Sequence, residues 1–372
     1  MAGIYIHIPF CKQHCHYCNF HFSTSLRYKD EMTAALLREA ELQQDYLDAE
    51  TIETIYLGGG TPSLLSIEEI KTILDKVKSL HNISSDSEIT LEANPDDMDE
   101  DKLSGWKAAG INRLSTGIQS FFDEDLQWMN RAHTASQAKE NLSLAKKHFD
   151  NITIDLIYGT PLLTNERWKQ NVDTVISSGI PHISCYALTV EPKTPLHKMI
   201  KQQQSPDVNP DKQSEQFLLL MQWMEEAGYE HYEISNFAKP GFRGRHNSSY
   251  WQGKKYLGLG PSAHSFNGSA RQWNISNNNI YITSIKAGKV PYEKEELTLT
   301  QQINEYIMTS LRTAEGMNLD VLEAQFAVNS TEIIRKAEKY INNDLLKPEN
   351  NSLVLTREGK LLADGIAADL FF

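Results

Sequence analysis

Apolar residues in the first half of the chain recur with two periods, and the periods take turns. Ile4, Ile6 and Ile8 alternate with other residues, as in a strand with one buried face. From Tyr28 to Leu47 the interval lengthens, and Met32, Leu36, Leu37 and Leu42 suit one side of a helix. A short strand is expected over Thr54 to Leu57 and a helix over Ser66 to Leu80. There Ser66 and Glu69 have capping-box spacing, and Ile70, Ile73, Leu74, Val77 and Leu80 form the stripe. The same exchange predicts strands at Glu88 to Ala93, Arg113 to Ile118, Ile152 to Tyr158 and His182 to Leu188. Helical sequence lies between them, near Lys102 to Ala109 (stopped by Gly110), Glu124 to Met129, Ser136 to His148 and Trp168 to Ile176. Strands that alternate with helices make parallel βα units, and six units are too few for a closed eight-stranded barrel.

Beyond Pro291 the pattern changes. Thr300 to Arg312 and Thr331 to Asn343 read as helices, Ser352 to Thr356 as a strand, and Gly359 to Phe372 as a last helix. This predicts two domains, 1–290 and 291–372, the second small, helical and winged-helix-like. A winged helix can bind DNA, but from residue 291 onward 14 acidic residues oppose 8 basic ones. The whole chain has 49 acidic and 36 basic residues, a net charge of −13, which opposes non-specific attraction to phosphates. Nucleic acid is therefore not an expected partner. The opening MAGIYIHIPF lacks the basic segment and long apolar core of a signal peptide. No apolar run reaches the roughly 18 residues of a membrane span, so a reducing cytoplasm is the expected location.

Three of the four cysteines, Cys11, Cys15 and Cys18, stand in a C-x3-C-x2-C loop directly after the first strand. A tight loop leaving a strand can gather three thiolates on an iron–sulfur cluster, with one iron left open to a small molecule. Zinc is the alternative, with His14, His16 or His21 completing a Cys3His set. Disulfides fit poorly, because three clustered cysteines leave one odd. Further strand ends carry groups that a buried strand does not need: Gly58-Gly59-Gly60-Thr61-Pro62, Glu92, Gln119 and Asp155. A carboxylate between Ile154 and Leu156 is costly without a partner, and a salt bridge or cap would account for it as well as a ligand would.

The cysteine loop, with Tyr17 before its third cysteine, resembles that of the radical S-adenosylmethionine (radical SAM) enzymes. The resemblance implies a [4Fe–4S] cluster on Cys11, Cys15 and Cys18, with SAM chelated to the fourth iron. It implies an α/β fold, an open six-unit (β/α)6 partial TIM-type barrel. GGGTP, LEANP, GIQSF, MNRAH and IDLIYGTP resemble the branch related to oxygen-independent coproporphyrinogen III oxidase. Carried over on those motifs, Tyr5, Gly59, Gly60, Thr61, Glu92, Gln119, Arg131 and Asp155 are expected to hold SAM.

Farther on, His246-Asn247-Ser248-Ser249-Tyr250-Trp251 precedes YLGLGPSAHSF, with Arg243 and Arg245 just before it. An imidazole, flat aromatic surface and cations are what a haem site requires, though such clusters also simply pack. HNxxYW followed by GxGxxAHS resembles the haem chaperones of the HemW type, along nearly the whole chain. That resemblance implies haem as cargo and acceptor haemoproteins, respiratory ones among them, as partners. His246, Asn247, Tyr250 and Trp251 become the haem contacts, His246 the iron ligand and His264 second in line. Phe20 stands where the oxidases carry a fourth cysteine, and only ten residues precede Cys11. Both departures favour the chaperone over porphyrinogen decarboxylation, which stays as the alternative. Whether SAM is cleaved and whether the chain forms a homodimer stay open.

Overall fold

The computed structural model describes residues 1–372. Six strands, β1 (Ala2–Ile8), β2 (Ile52–Gly59), β3 (Ile83–Ala93), β4 (Arg113–Gln119), β5 (Ile152–Tyr158) and β6 (His182–Ala187), pair in sequence order, all parallel. Between them run α1 (Lys29–Leu42), α2 (Ile67–Leu80), α3 (Glu100–Ala109), α4 (Asp123–Trp128), α5 (Ala135–Ala145) and α6 (Asn165–Ser177). The expected capping box of Ser66 and Glu69 is formed, and Gly110 ends α3 in the left-handed region at φ 103°. The stretch from Tyr28 is helical only to Leu42; beyond it Asp48 and Ala49 take positive φ and turn the chain toward β2.

Register explains the alternation. Ile4, Ile6, Ile55, Leu57, Leu91, Leu114, Ile154 and Ile183 are fully buried on the sheet's outer face, under the helices. The other face carries Tyr5, Thr54, Tyr56, Glu88, Glu92, Arg113, Ser115, Thr153, Asp155, His182 and Ser184. Opposed pairs include Tyr5 with Tyr56, Thr54 with Glu88, Glu92 with Ser115, Thr153 with His182 and Asp155 with Ser184. The barrel is therefore apolar outside its strands and polar inside them, because successive side chains of a strand point to opposite faces.

After α7 (Pro195–Lys201) and α8 (Pro210–Glu226) the sheet grows at both ends. β7 (Glu230–Glu233) and β8 (Asn236–Ala238) join β6. The short helix α9 (Arg245–Trp251) leads to β9 (Lys255–Leu259), which lies parallel to β1. β10 (His264–Phe266), β11 (Ala270–Asn274) and, after α10 (Asn278–Lys286), β12 (Tyr292–Glu296) complete twelve strands. These short extension strands were not expected from the sequence. β12 belongs to the large sheet, so the small domain begins after it rather than at 291.

That domain has its own core around Ile307, Leu322, Ile333, Leu353 and Leu370. It consists of α11 (Leu299–Leu311), β13 (Met317–Asn318), α12 (Leu319–Phe326), α13 (Ser330–Asn342), β14 (Leu346–Glu349), β15 (Ser352–Leu355) and α14 (Ala363–Leu370). Gly359–Leu362 forms a 3-10 turn, so the last helix starts at Ala363. No helix is long and apolar enough to cross a membrane.

One buried carboxylate locks the sheet extension to the barrel. Glu39 on α1 is fully buried and accepts hydrogen bonds from Gly260 N (2.7 Å), Asn274 Nδ2 (2.6 Å), Gln43 Nε2 (3.0 Å) and Tyr281 Oη. Burial pushes its carboxyl up to about 7, and the four donors offset part of that cost. Glu39→Gln would set an amide donor against donors. It is expected to lower the unfolding free energy by about 2 kcal/mol or more, read by chemical denaturation.

Candidate functional site

The loop after β1 is closed at its neck by Cys11 N→Ser23 O (3.1 Å) and Ser23 N→Pro9 O (2.9 Å). It is tied down by partners distant in sequence. Gln13 Nε2 donates to Asn130 O (2.7 Å), Asn130 Nδ2 to His14 O (2.7 Å), and Lys12 Nζ to Asp96 (2.7 Å). Two thiols already have donors aimed at them, Thr61 Oγ1 at Cys11 Sγ (3.5 Å) and Arg131 Nη1 at Cys15 Sγ (3.4 Å). Burial pushes the Cys11 thiol up to about 11 and raises that of Cys18. Both would become thiolates more readily beside a bound cation.

None of the neighbouring histidines completes a Cys3His set. His14 packs edge-on against Phe22, while His16 Nδ1 meets Trp128 O (2.7 Å) and His21 Nε2 meets Asn278 Oδ1 (2.7 Å). No three His, Cys, Asp or Glu side chains gather closely enough to hold a single metal ion. The donor set fits an iron–sulfur cluster better than zinc.

The residues expected to hold SAM are spread over β1 to β5 and their C-terminal ends, with Arg131 just beyond α4. Gly60 N donates to Ile8 O (2.9 Å), and a Cβ on Gly60 would lie 2.5 Å from Phe10 O and 2.7 Å from Ile8 O. Gly59 needs its positive φ of 105°, and its N–H donates to Glu92 Oε2 (3.1 Å), whose other oxygen accepts from Tyr56 Oη (2.8 Å). Burial raises Glu92 to about 7 and Asp155 to about 6, each inside the barrel. Gln119 ends β4 at φ +70° beside a register shift, a strained non-glycine conformation of the kind found at binding sites. Arg131 Nη2 donates to Gly117 O (2.6 Å) and Asn94 Oδ1 (2.8 Å), while its Nε is buried with no partner. A buried donor left free on an arginine suits an anionic group such as a carboxylate. Tyr5 Oη shares a hydrogen bond with His7 Nδ1 (3.0 Å) at the barrel's inner wall.

The HNxxYW segment is α9, and its residues divide between two cavities. The first is a polar chamber of about 60 Å³ inside the barrel, lined by His246 and Asn247 together with Glu88, Arg113, Asp155 and His182. Glu88 accepts the backbone N–H groups of Arg245 (3.0 Å) and His246 (2.9 Å), and its carboxylate stands 3.9 Å from Arg113. The second cavity is a cleft of about 1120 Å³ between the barrel's open side and the small domain. Tyr250, Trp251, Tyr256, Phe266, Tyr306 and Phe326 line it, and it reaches Tyr5 and His21 at the cluster loop.

His246 is not presented to that cleft. It is 2% exposed, stacks on Tyr56 with ring centroids 5.0 Å apart, and has both nitrogens engaged. Nδ1 meets Thr54 Oγ1 (2.8 Å) and Nε2 meets Tyr250 Oη (2.8 Å). Burial pushes its pKa down to about 3, so the ring is neutral and held as a packing element. The reason is helical geometry: residues four apart share a face, so His246 and Tyr250 point together toward the strands. Thr54, Tyr56, Glu88 and Arg113 escaped the sequence reading. The signal available was their parity with Tyr5, Glu92 and Asp155 on the strands.

Residues 5–175 match the Radical SAM superfamily, and residues 297–362 match the HemN C-terminal domain. The heme chaperone HemW of Mycobacterium tuberculosis is 33% identical over 374 residues, covering 99% of this chain and 94% of its own. That of Bacillus subtilis is 33% identical over 371 residues, covering 98% of each chain. Among solved structures, coproporphyrinogen III oxidase (HemN) from Escherichia coli superposes with a TM-score of 0.87 over 100% of this chain and 90% of that one. At 22% identity that is a likeness of fold.

The packing of Gly60 sets a test of the loop's foundation. Gly60→Ala is expected to displace Phe10 and the loop neck. Iron incorporation should fall, and the melting temperature should drop with it, since overpacking costs about 1–3 kcal/mol. Absorbance of the reconstituted protein and calorimetry read the two effects.

Proposed function

The chain belongs to the HemW family within the radical SAM superfamily, and from that membership we propose that it is a haem chaperone, binding haem and passing it to acceptor haemoproteins. The observation that carries this reading is the cleft of about 1120 Å³, whose aromatic wall runs from α9 to the cluster loop. Cavities of roughly 300–1,000 Å³ suit drug-sized ligands, so a macrocycle is a reasonable occupant. Arg243 and Arg271 line the same cleft and offer cations to propionates.

Cys11, Cys15 and Cys18 would hold a [4Fe–4S] cluster, with Thr61 and Arg131 directing hydrogen bonds at its thiolates. Tyr5, Gly59, Gly60, Thr61, Glu92, Gln119, Arg131 and Asp155 would hold SAM, the free Nε of Arg131 facing its carboxylate. When bound, the cluster supplies one-electron chemistry and an iron without a protein ligand. The residues of this chain supply orientation and charge: Glu92 receives two donors from β2, and Arg131 offsets the charge of thiolates and carboxylates. Tyr250 and Trp251 remain haem contacts in this reading, whereas His246 and Asn247 support α9 from inside the barrel. The proposed setting is the cytoplasm, where thiols stay reduced.

The oxidase alternative has the shared fold in its favour. Against it stands Phe20, 68% exposed at the cleft, where an oxidase carries its fourth cysteine.

Anaerobic reconstitution followed by haem titration, with and without SAM, tests the proposal. The full chain is expected to bind haem. Replacing Cys11, Cys15 and Cys18 together by Ala should reduce cluster iron to background while the fold persists. Sustained conversion of coproporphyrinogen III to protoporphyrinogen IX by the intact protein would make it an enzyme and overturn the chaperone reading.

A further inference from the structure

The large sheet has two edges, β7 and β12, and the molecule treats them differently. At β7 the small domain closes the edge. Ala314 N donates to Tyr232 O (2.9 Å), Glu233 bridges to Thr313, and Ile234 N donates to Arg312 O (3.1 Å). At β12 no such cover is present. Every residue from Tyr292 to Glu296 is exposed, and β11 is the only strand beside them.

Register fixes which backbone groups are free on that edge. β12 pairs with β11 without a bulge, Trp273 opposite Glu293 and Arg271 opposite Glu295. The flanking bonds Leu297 N→Ser269 O (2.9 Å) and Ile275 N→Pro291 O (3.0 Å) have the same parity. Hydrogen-bonded and non-bonded pairs alternate in an antiparallel ladder, so Glu293 and Glu295 spend their N–H and C=O groups on β11. Those of Tyr292, Lys294 and Glu296 point away from the sheet.

Side chains follow the same alternation. Glu293 and Glu295 stand on the face of Trp273 and Arg271, which continues through His264 and Phe266 into the wall of the large cleft. Neither carboxylate is paired with a cation: Arg271 is taken by Glu305 (3.0 Å), and Glu295 accepts from Gln301 Nε2 (2.8 Å). On the opposite face Lys294 pairs with Glu296 (2.5 Å), and Tyr292 is 49% exposed.

We propose that the β12 edge is a docking site for an extended basic segment of another protein, which joins the sheet as its next strand. Lysine or arginine side chains of that segment would alternate with apolar ones, the first set against Glu293 and Glu295 and the second against Tyr292. Charge on an edge ordinarily prevents pairing, and here its sign makes the prevention selective. A two-fold antiparallel pairing centred on Glu293, Lys294 or Glu295 sets a glutamate of one copy opposite a glutamate of the other, so a second copy of this chain is a poor occupant. The net charge of −13 opposes self-association as well. The edge continues the cleft wall, so a docked segment would lie beside whatever the cleft holds, but the docking does not depend on that occupant.

The probe is a short fluorescent peptide of alternating lysine and valine, titrated by anisotropy against the full-length protein. It is expected to bind, and a glutamate–valine peptide is not. Lys294→Pro removes an N–H that the β11 ladder does not use, so the fold should persist while affinity for the lysine–valine peptide falls by about tenfold or more. Two further peptides, N-methylated at the lysines or at the valines, separate strand addition from charge attraction. Only one set of N–H groups can face β12, so the wild-type chain should bind one of these peptides and reject the other. Rejection of the valine-methylated peptide marks an antiparallel strand, and of the lysine-methylated peptide a parallel one. This comparison uses the wild-type chain and stands even where Lys294→Pro loses its fold. Equal binding of the two methylated peptides, unchanged affinity in a folded Lys294→Pro, or no uptake of the lysine–valine peptide would overturn the proposal. Dimers of the full chain in sedimentation that Lys294→Pro dissolves would overturn it too, since a second copy would then hold the edge.

Discussion

The inner face of the six barrel strands is polar, and each group on it needs a partner within the barrel. Buried donors and acceptors are costly unless satisfied, and buried charges more so. Tyr56 with Glu92, Thr54 with His246, and Arg113 with Asn151 (2.7 Å) and Thr153 show how the requirement is met. The partners come from neighbouring strands, so a shift of one residue in register would turn the whole set outward. The same parity that builds this interior aims Tyr5, Glu92 and Asp155 where a cofactor would sit. Structural satisfaction and the proposed ligand binding thus draw on one set of side chains.

Helix α9 illustrates the consequence. A seven-residue helix is too short to be stable alone, so its position comes from tertiary contacts. Glu88 takes two of its N-terminal N–H groups, and Gly244 N donates to Tyr232 Oη (3.2 Å) just before it. His246 then fills the space between Thr54 and Tyr56, and the helix closes part of the barrel's open side. Tyr250, one turn on and hydrogen-bonded to His246, lines the cleft together with Trp251. A motif that looks uniform along the chain is half scaffold and half wall.

The small domain completes that cleft from across the gap. Backbone bonds Ile234 N→Arg312 O (3.1 Å) and Ala314 N→Tyr232 O (2.9 Å) join it to the barrel. Arg312 lies over the Trp251 ring at 5.3 Å, and Arg243 pairs with Glu315 at 2.7 Å. The contacts converge on α9 and the segment before it, so the cavity wall and the domain interface share residues.

Local chemistry sufficed for much of this architecture. The exchange of two-residue and three-to-four-residue periods predicts the six βα units, since burial of one face imposes those periods. The spacing of Cys11, Cys15 and Cys18 marks the thiolate loop because ligands of one cluster must be close in space, and here they are close in sequence. Other features depend on residues that meet only in three dimensions. β9 to β12 are short and glycine-interrupted, and they are strands because β1 offers an edge to pair with. Thr54 and Glu88 meet His246 of α9 from 192 and 158 residues away in sequence. The fate of His246 was settled by that meeting: its motif names an imidazole, but burial and two hydrogen bonds consume both nitrogens. His264, the second histidine that the sequence singled out, lies on an exposed hairpin face that strand pairing turns toward the cleft.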